Sequence, residues 1–104
     1  MITVANIRTH QDGVYIGRRM PGRDGSPLGN PYRLAPGALR ADVIAKYETW
    51  LDMQLSSDTP ARRAFDQLVA AARHGDLVLL CWCAPLECHG DVIRRRIEDI
   101  LSFD

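Results

Sequence analysis

All three cysteines of this chain fall in one short stretch, Leu80-Cys81-Trp82-Cys83-Ala84-Pro85-Leu86-Glu87-Cys88-His89-Gly90-Asp91. Thiolates are nucleophiles and metal ligands, so the stretch admits three chemistries. Cys81, Cys83, Cys88 and His89 together make a donor set for tetrahedral zinc. The spacing C-x-C-x4-C-H is not a usual zinc pattern, so no cofactor is expected and zinc on these four residues is the alternative. In the second chemistry Cys88 is a nucleophile, His89 a general acid or base, and Asp91 its orienting partner. Cys88 to Arg94 also matches the C-x5-R skeleton of phosphotyrosine-type phosphatases, although Val92 and Ile93 read as helix core. In the third, Cys81 and Cys83 are buried small hydrophobes, and His89 and Asp91 serve the start of a helix.

A second constellation lies upstream: Tyr15-Ile16-Gly17-Arg18, then Gly25-Ser26-Pro27-Leu28-Gly29-Asn30-Pro31-Tyr32. The glycines let a ligand approach the main chain, and the prolines stiffen it. Ser26 and Asn30 offer polar groups, and Arg18, Arg23 and Arg33 suit an anion. A plain turn-rich connection would have the same composition. The expected ligand-binding residues are Tyr15, Gly17, Arg18, Ser26, Leu28, Gly29, Asn30, Tyr32, Cys83 and Gly90. Tyr15, Tyr32 or Trp82 could stack on a base or sugar.

The elements that must position these residues are legible from periodicity. β-branched residues mark a strand over Ile2–Thr9 and a second, shorter one over Val14–Ile16. A long proline- and glycine-rich loop follows from Arg18 to Gly37. The first helix is expected from Ala38 to Leu55, with Val43, Tyr47, Trp50, Leu51 and Leu55 on its apolar face. Thr59 and Pro60 read as the N-cap and first position of a second helix, and Gly75 lies beyond its end. Leu77–Cys83 reads as a strand covered on both faces. A third helix starts near Cys88 or His89. This order implies a small α/β domain of two or three layers. Both constellations follow strand carboxyl ends, where open α/β sheets bind ligands.

The chain has 104 residues, 13 basic and 13 acidic, which suits one domain and gives no basic excess for duplex DNA. No apolar run is long enough for a membrane span, and Met1 to His10 lacks a signal-peptide core, so a cytoplasmic location without membrane partners is expected.

Val14-Tyr15-Ile16-Gly17-Arg18, Ser26 to Tyr32, and Cys81 to Ile93 together resemble the bacterial and phage family known as domain of unknown function 4326. The last motif is also similar, more distantly, to domain of unknown function 488. The resemblance implies a small single-domain Rossmann-like α/β fold, a short sheet with helices packed on it and the two motifs facing one another. The expected function is binding of a nucleotide-like or other phosphate-bearing small molecule. Two alternatives stand beside it. One is an enzyme acting on nucleotide or N-glycosidic bonds. The other is a phage protein that inhibits a host protein or sequesters a host nucleotide signal.

Overall fold

The structure is a computed structural model and describes residues 1–103. Its elements follow the order β1 (Ile2–Asn6), β2 (Val14–Tyr15), α1 (Arg40–Leu55), α2 (Pro60–His74), β3 (Leu77–Cys81) and α3 (His89–Ser102). The three strands form one parallel sheet in the order β1-β3-β2, with Ile2 opposite Leu77, Asn6 opposite Cys81, and Tyr15 opposite Leu80.

Alternation along β3 divides the interior. Leu77, Leu79 and Cys81 join the main core, to which all three helices contribute: Tyr47 and Leu51 from α1, Phe65 and Leu68 from α2, Val92, Ile93 and Ile97 from α3. Leu80 faces the other way, into a small cluster with Ala5 and Ile7, flanked by Tyr15 and Val78. The helices therefore share one face, which makes the domain two-layered. The apolar run in β3 owes its second cover to the segment joining β1 and β2. Gly13 crosses there so closely that a Cβ would sit 2.7 Å from the Val78 carbonyl oxygen.

The helix boundaries follow local chemistry. Thr59 caps α2, its hydroxyl accepting from the Arg62 amide at 3.0 Å, with Pro60 at the first helical position. α3 begins at His89, with Cys88 as N-cap, and Asp91 closes a capping box by accepting from the Cys88 amide at 3.0 Å. Four expected boundaries shorten. β1 ends at Asn6, β2 at Tyr15 and β3 at Cys81, and α1 begins at Arg40.

The end of β3 has a local cause. The Asn6 side-chain amide donates to the Trp82 and Ala84 carbonyls at 3.0 and 2.9 Å, taking the chain out of the ladder into a turn. α1 buries Ile44, Tyr47 and Leu51, while Val43 moves to the cavity side.

Gly90 sits where α3 meets the sheet. A Cβ there would lie 2.9 Å from Val4 Cγ1 and 3.0 Å from Ile16 Cδ1, both branched side chains in the core. Gly90→Ala is expected to cost ~1–3 kcal/mol through overpacking, read as a lower midpoint in a denaturant titration. An unchanged midpoint would show that α3 can lift off the sheet without cost.

A basic cavity at the strand ends

The segments leaving β2 and β3 enclose a cavity of about 430 Å³. Its wall takes Tyr15, Gly17, Arg18, Asn30 and Tyr32 from the first constellation, and Trp82, Cys83, Cys88 and His89 from the second. The two motifs thus face one another.

Several wall residues are fixed by specific contacts. The Tyr15 hydroxyl donates to the Arg18 carbonyl at 2.7 Å and accepts from Trp82 Nε1 at 3.1 Å, joining the two motifs across the cavity floor. The Tyr15 ring also requires the glycine at 17, because a Cβ there would approach ring atom Cζ to 2.6 Å. Arg18 Nη1 donates to the Asn30 and Tyr32 carbonyls at 3.2 and 3.4 Å, and Asn30 Oδ1 accepts from the Tyr32 amide at 2.9 Å. Arg18 is therefore a tie across the long loop rather than a free arm.

His89 is 8% exposed, and its Nε2–H donates to the Ile16 carbonyl at 2.7 Å. Its ring meets Tyr47 edge-on, with centroids 5.1 Å apart, and the Tyr47 hydroxyl donates to the Leu28 carbonyl at 2.6 Å. Burial holds the His89 pKa below its ordinary value. The bond to Ile16 opposes that shift, Arg18 adds to it and Asp91 opposes it.

Other expected site residues lie elsewhere. Ser26 accepts from the Leu28 amide on its hydroxyl at 3.1 Å and donates from its own amide to the Gly17 carbonyl at 2.9 Å, building a turn. Leu28 is core, and Gly29 packs on the Gly17 carbonyl. Gly90 faces Val4 and Ile16. Asp91 is spent on the Cys88 amide, so its carboxylate takes up the partial positive charge at the start of α3. None of these five lines the cavity.

The phosphatase-like spacing dissolves as well. Val92 and Ile93 are fully buried, and Arg94 pairs with Asp91 and Glu98, each at 3.9 Å.

The thiols differ among themselves. Cys88 is 3% exposed, and its hydrogen bonds with Cys81 and Cys83, reinforced by burial, push its pKa far up. Cys83 lines the cavity, and its pKa is lowered to about 6. The largest cause is the hydrogen bond from Cys88; burial opposes it, and Arg40 and then Arg18 add to the lowering. Cys83 and Cys88 both line the cavity, and Cys83 is the more exposed of the two. Cys81 lies behind, its Sγ 3.4 Å from that of Cys88, and does not reach the cavity. Among the described residues no three Cys, His, Asp or Glu side chains are arranged to hold a metal ion, and His89 has committed Nε2 to Ile16.

Four arginines line the cavity: Arg18, Arg19, Arg33 and Arg40. Sequence reasoning offered Arg23, which lies outside the cavity with its guanidinium over the Tyr15 ring, and missed Arg19 and Arg40, the latter donating to the Glu87 carbonyl at 3.1 Å. The signal at Arg40 was local. A cation in the first turn of a helix opposes the helix dipole, and such a placement asks for another reason.

These features define a two-layer α/β domain with a basic, aromatic-walled cavity at the carboxyl ends of its strands. A family model described as a domain of unknown function, DUF4326, matches residues 3–99, and the chain belongs to that family. No curated protein and no solved structure matches it. Among the described residues no helix is long and apolar enough to cross a membrane.

His89 stays neutral in the fold, so its contribution is complete above the unfolded-state pKa of about 6.5 and is lost as pH falls below that value. His89→Gln keeps an amide donor and removes the titration. Between about pH 6.5 and 5, denaturant midpoints should fall for the native chain and much less for His89→Gln. Equal slopes would show that His89 does not carry the acid limb.

Proposed function

We propose that this cavity binds an anionic small molecule with a planar part, such as a nucleotide or an ADP-ribose derivative. One observation carries the reading. Arg18, Arg19, Arg33 and Arg40 face the cavity, and none is in an ion pair with a carboxylate among the described residues. By contrast, the outward arginines of α3 are paired: Arg95 with Glu48, and Arg96 with Glu48 and Asp52. In a chain of zero formal charge, four cations without a carboxylate partner are thus gathered at one concavity, while Arg8, Arg23 and Lys46 lie outside it. A volume of about 430 Å³ suits a small ligand. Tyr15, Tyr32 and Trp82 supply faces for a ring.

The Rossmann-like reading belongs here too. A parallel sheet with its cavity beyond β2 and β3 follows the rule that such sheets take ligands at strand carboxyl ends. The anion, however, would rest on arginines and not on the start of α3, whose charge Asp91 already meets.

An enzyme of nucleotide or N-glycosidic bonds is the second reading. The observation that favours it is a thiol of lowered pKa, Cys83, beside Arg40 in the cavity wall. Turnover of nucleotide probes by the native chain but not by Cys83→Ser would select it over binding alone.

Native and denaturing mass spectrometry of the purified chain, followed by calorimetric titration with AMP, ADP-ribose and inorganic phosphate, tests the main reading. Arg40→Ala should weaken binding by about tenfold or more, the size of a charge-assisted contact. Arg18→Ala should weaken binding and also lower the melting temperature, because it frees the Asn30 and Tyr32 carbonyls. Retention of native affinity by Arg40→Ala, or no binding of any probe, would overturn the reading.

A further inference from the structure

The three thiols form a graded set running inward from the cavity. Cys83 is half-buried in the wall, Cys88 is 3% exposed and Cys81 is 1% exposed. Cys81 Sγ and Cys88 Sγ stand 3.4 Å apart. A disulfide needs about 2.05 Å, so closing this pair takes an approach of only ~1.4 Å. Both backbones are held, Cys81 as the last residue of β3 with its carbonyl accepting from the Ile7 amide at 2.9 Å and Cys88 as the extended N-cap of α3, so the approach falls to the two side chains. Cys88 also lines the cavity together with Cys83, whose thiol it influences more than any other group does. One central thiol therefore stands between the cavity wall and the thiol in the core.

We infer that Cys83, Cys88 and Cys81 form a thiol relay, which accepts oxidation by a peroxide at Cys83 and stores it as a buried Cys81–Cys88 disulfide. The anion-binding reading is not needed for this; the cavity serves only as the opening through which a small peroxide arrives.

The relay balances in three steps. The Cys83 thiolate attacks a peroxide oxygen; an S–O bond forms, the O–O bond breaks, and the departing oxygen takes a proton from solvent to leave as water or an alcohol. Cys83 is now a sulfenic acid. Cys88 gives up its proton to the departing hydroxyl and attacks the Cys83 sulfur; an S–S bond forms, the S–O bond breaks, and water leaves. Cys81 then attacks Cys88 Sγ. The Cys81–Cys88 bond forms, the Cys83–Cys88 bond breaks, and Cys83 recovers a thiol with the proton from Cys81. In sum, Cys81 and Cys88 lose two electrons and two protons, and the peroxide is reduced. A small thiol reductant reverses the storage by exchange.

The acidities follow the same order. Cys83 is lowered to about 6, first by hydrogen bonding with Cys88 and further by Arg40, while Cys88 is held up by its hydrogen bonds and by burial. The outer thiol is thus ionised and reactive at neutral pH, and the central one keeps its proton until the sulfenic acid forms.

The test uses the reduced full chain, treated with one equivalent of hydrogen peroxide, alkylated under denaturing conditions and weighed intact. Cleavage after Glu87 then separates Cys88 from the peptide that carries Cys81 and Cys83. The expected product has lost two hydrogens and carries one alkyl group, on Cys83. Cys83→Ser should slow disulfide formation by at least about tenfold, because the accessible thiolate is gone. Cys81→Ser should stop at a Cys83–Cys88 disulfide, and Cys88→Ser at a Cys83 sulfenic acid that dimedone traps. Three alkylated cysteines in the treated native chain, or oxidation of Cys83→Ser at the native rate, would overturn the relay. The native chain decides the question even if a variant at buried Cys88 fails to fold. Phosphate or nucleotide binding is measured separately, so either proposal can fail alone.

Discussion

One hydrogen bond fixes the distance between the two walls of the cavity: His89 Nε2–H to the Ile16 carbonyl, at 2.7 Å and out of water. The donor stands at the first turn of α3, and the acceptor stands just past β2, 73 residues earlier. Removing either partner would leave a buried polar group unmet, which costs ~1–3 kcal/mol, more than the bond's modest net worth. The histidine is held in turn by Tyr47, edge-on at 5.1 Å, whose hydroxyl reaches the Leu28 carbonyl. Burial drives the Tyr47 phenol far up in pKa, so it remains a donor. A chain of four residues thus joins α1, α3, the end of β2 and the middle of the long loop. The loop has no helix or strand of its own to hold it, and this polar seam takes that role.

The arginines show how a neutral chain becomes locally polar. On the outer face of α3 and its neighbour α1, guanidinium groups meet carboxylates, as Arg96 meets Asp52 at 2.9 Å. In the cavity, Arg18 and Arg40 meet backbone carbonyls. A carbonyl satisfies the donor geometry but cancels no net charge. The inner wall therefore keeps a positive field while its polar groups remain paired, a state that exposed ion pairing would have erased.

Much of the fold was legible in the sequence, because its signals are local. The Thr59-Pro60 start of α2, its Phe65–Leu68–Val69 stripe, and the run in β3 each follow from periodicity and cap chemistry. The facing of the two motifs was legible too, since both follow strand carboxyl ends. What could not be read were contacts between distant positions. The Asn6 amide on the Trp82 and Ala84 carbonyls, 76 and 78 residues away, ends β3 two residues early. Leu28, Gly29 and Gly90 look like ligand contacts in a motif, yet they pack against backbone or core. Asp91 was legible as either catalytic or capping, and the geometry uses it for the cap. Which thiols open to the cavity depends on where the chain leaves β3, and no local pattern encodes that.

The sheet order carries a consequence for how the chain comes off the ribosome. β3 lies between β1 and β2, yet it is the fifth of six elements in sequence. β1 and β2 have no partner until residue 77 and its successors emerge, because they pair only with β3. During most of synthesis the nascent chain can gather α1 and α2 by local contacts, while two short strands wait unpaired. Sheet, core and cavity then form together in a late, concerted step, with the closing entropy of a 75-residue separation paid at once. A chain truncated before β3 would therefore emerge as two helices and a tail, with none of the pocket in place.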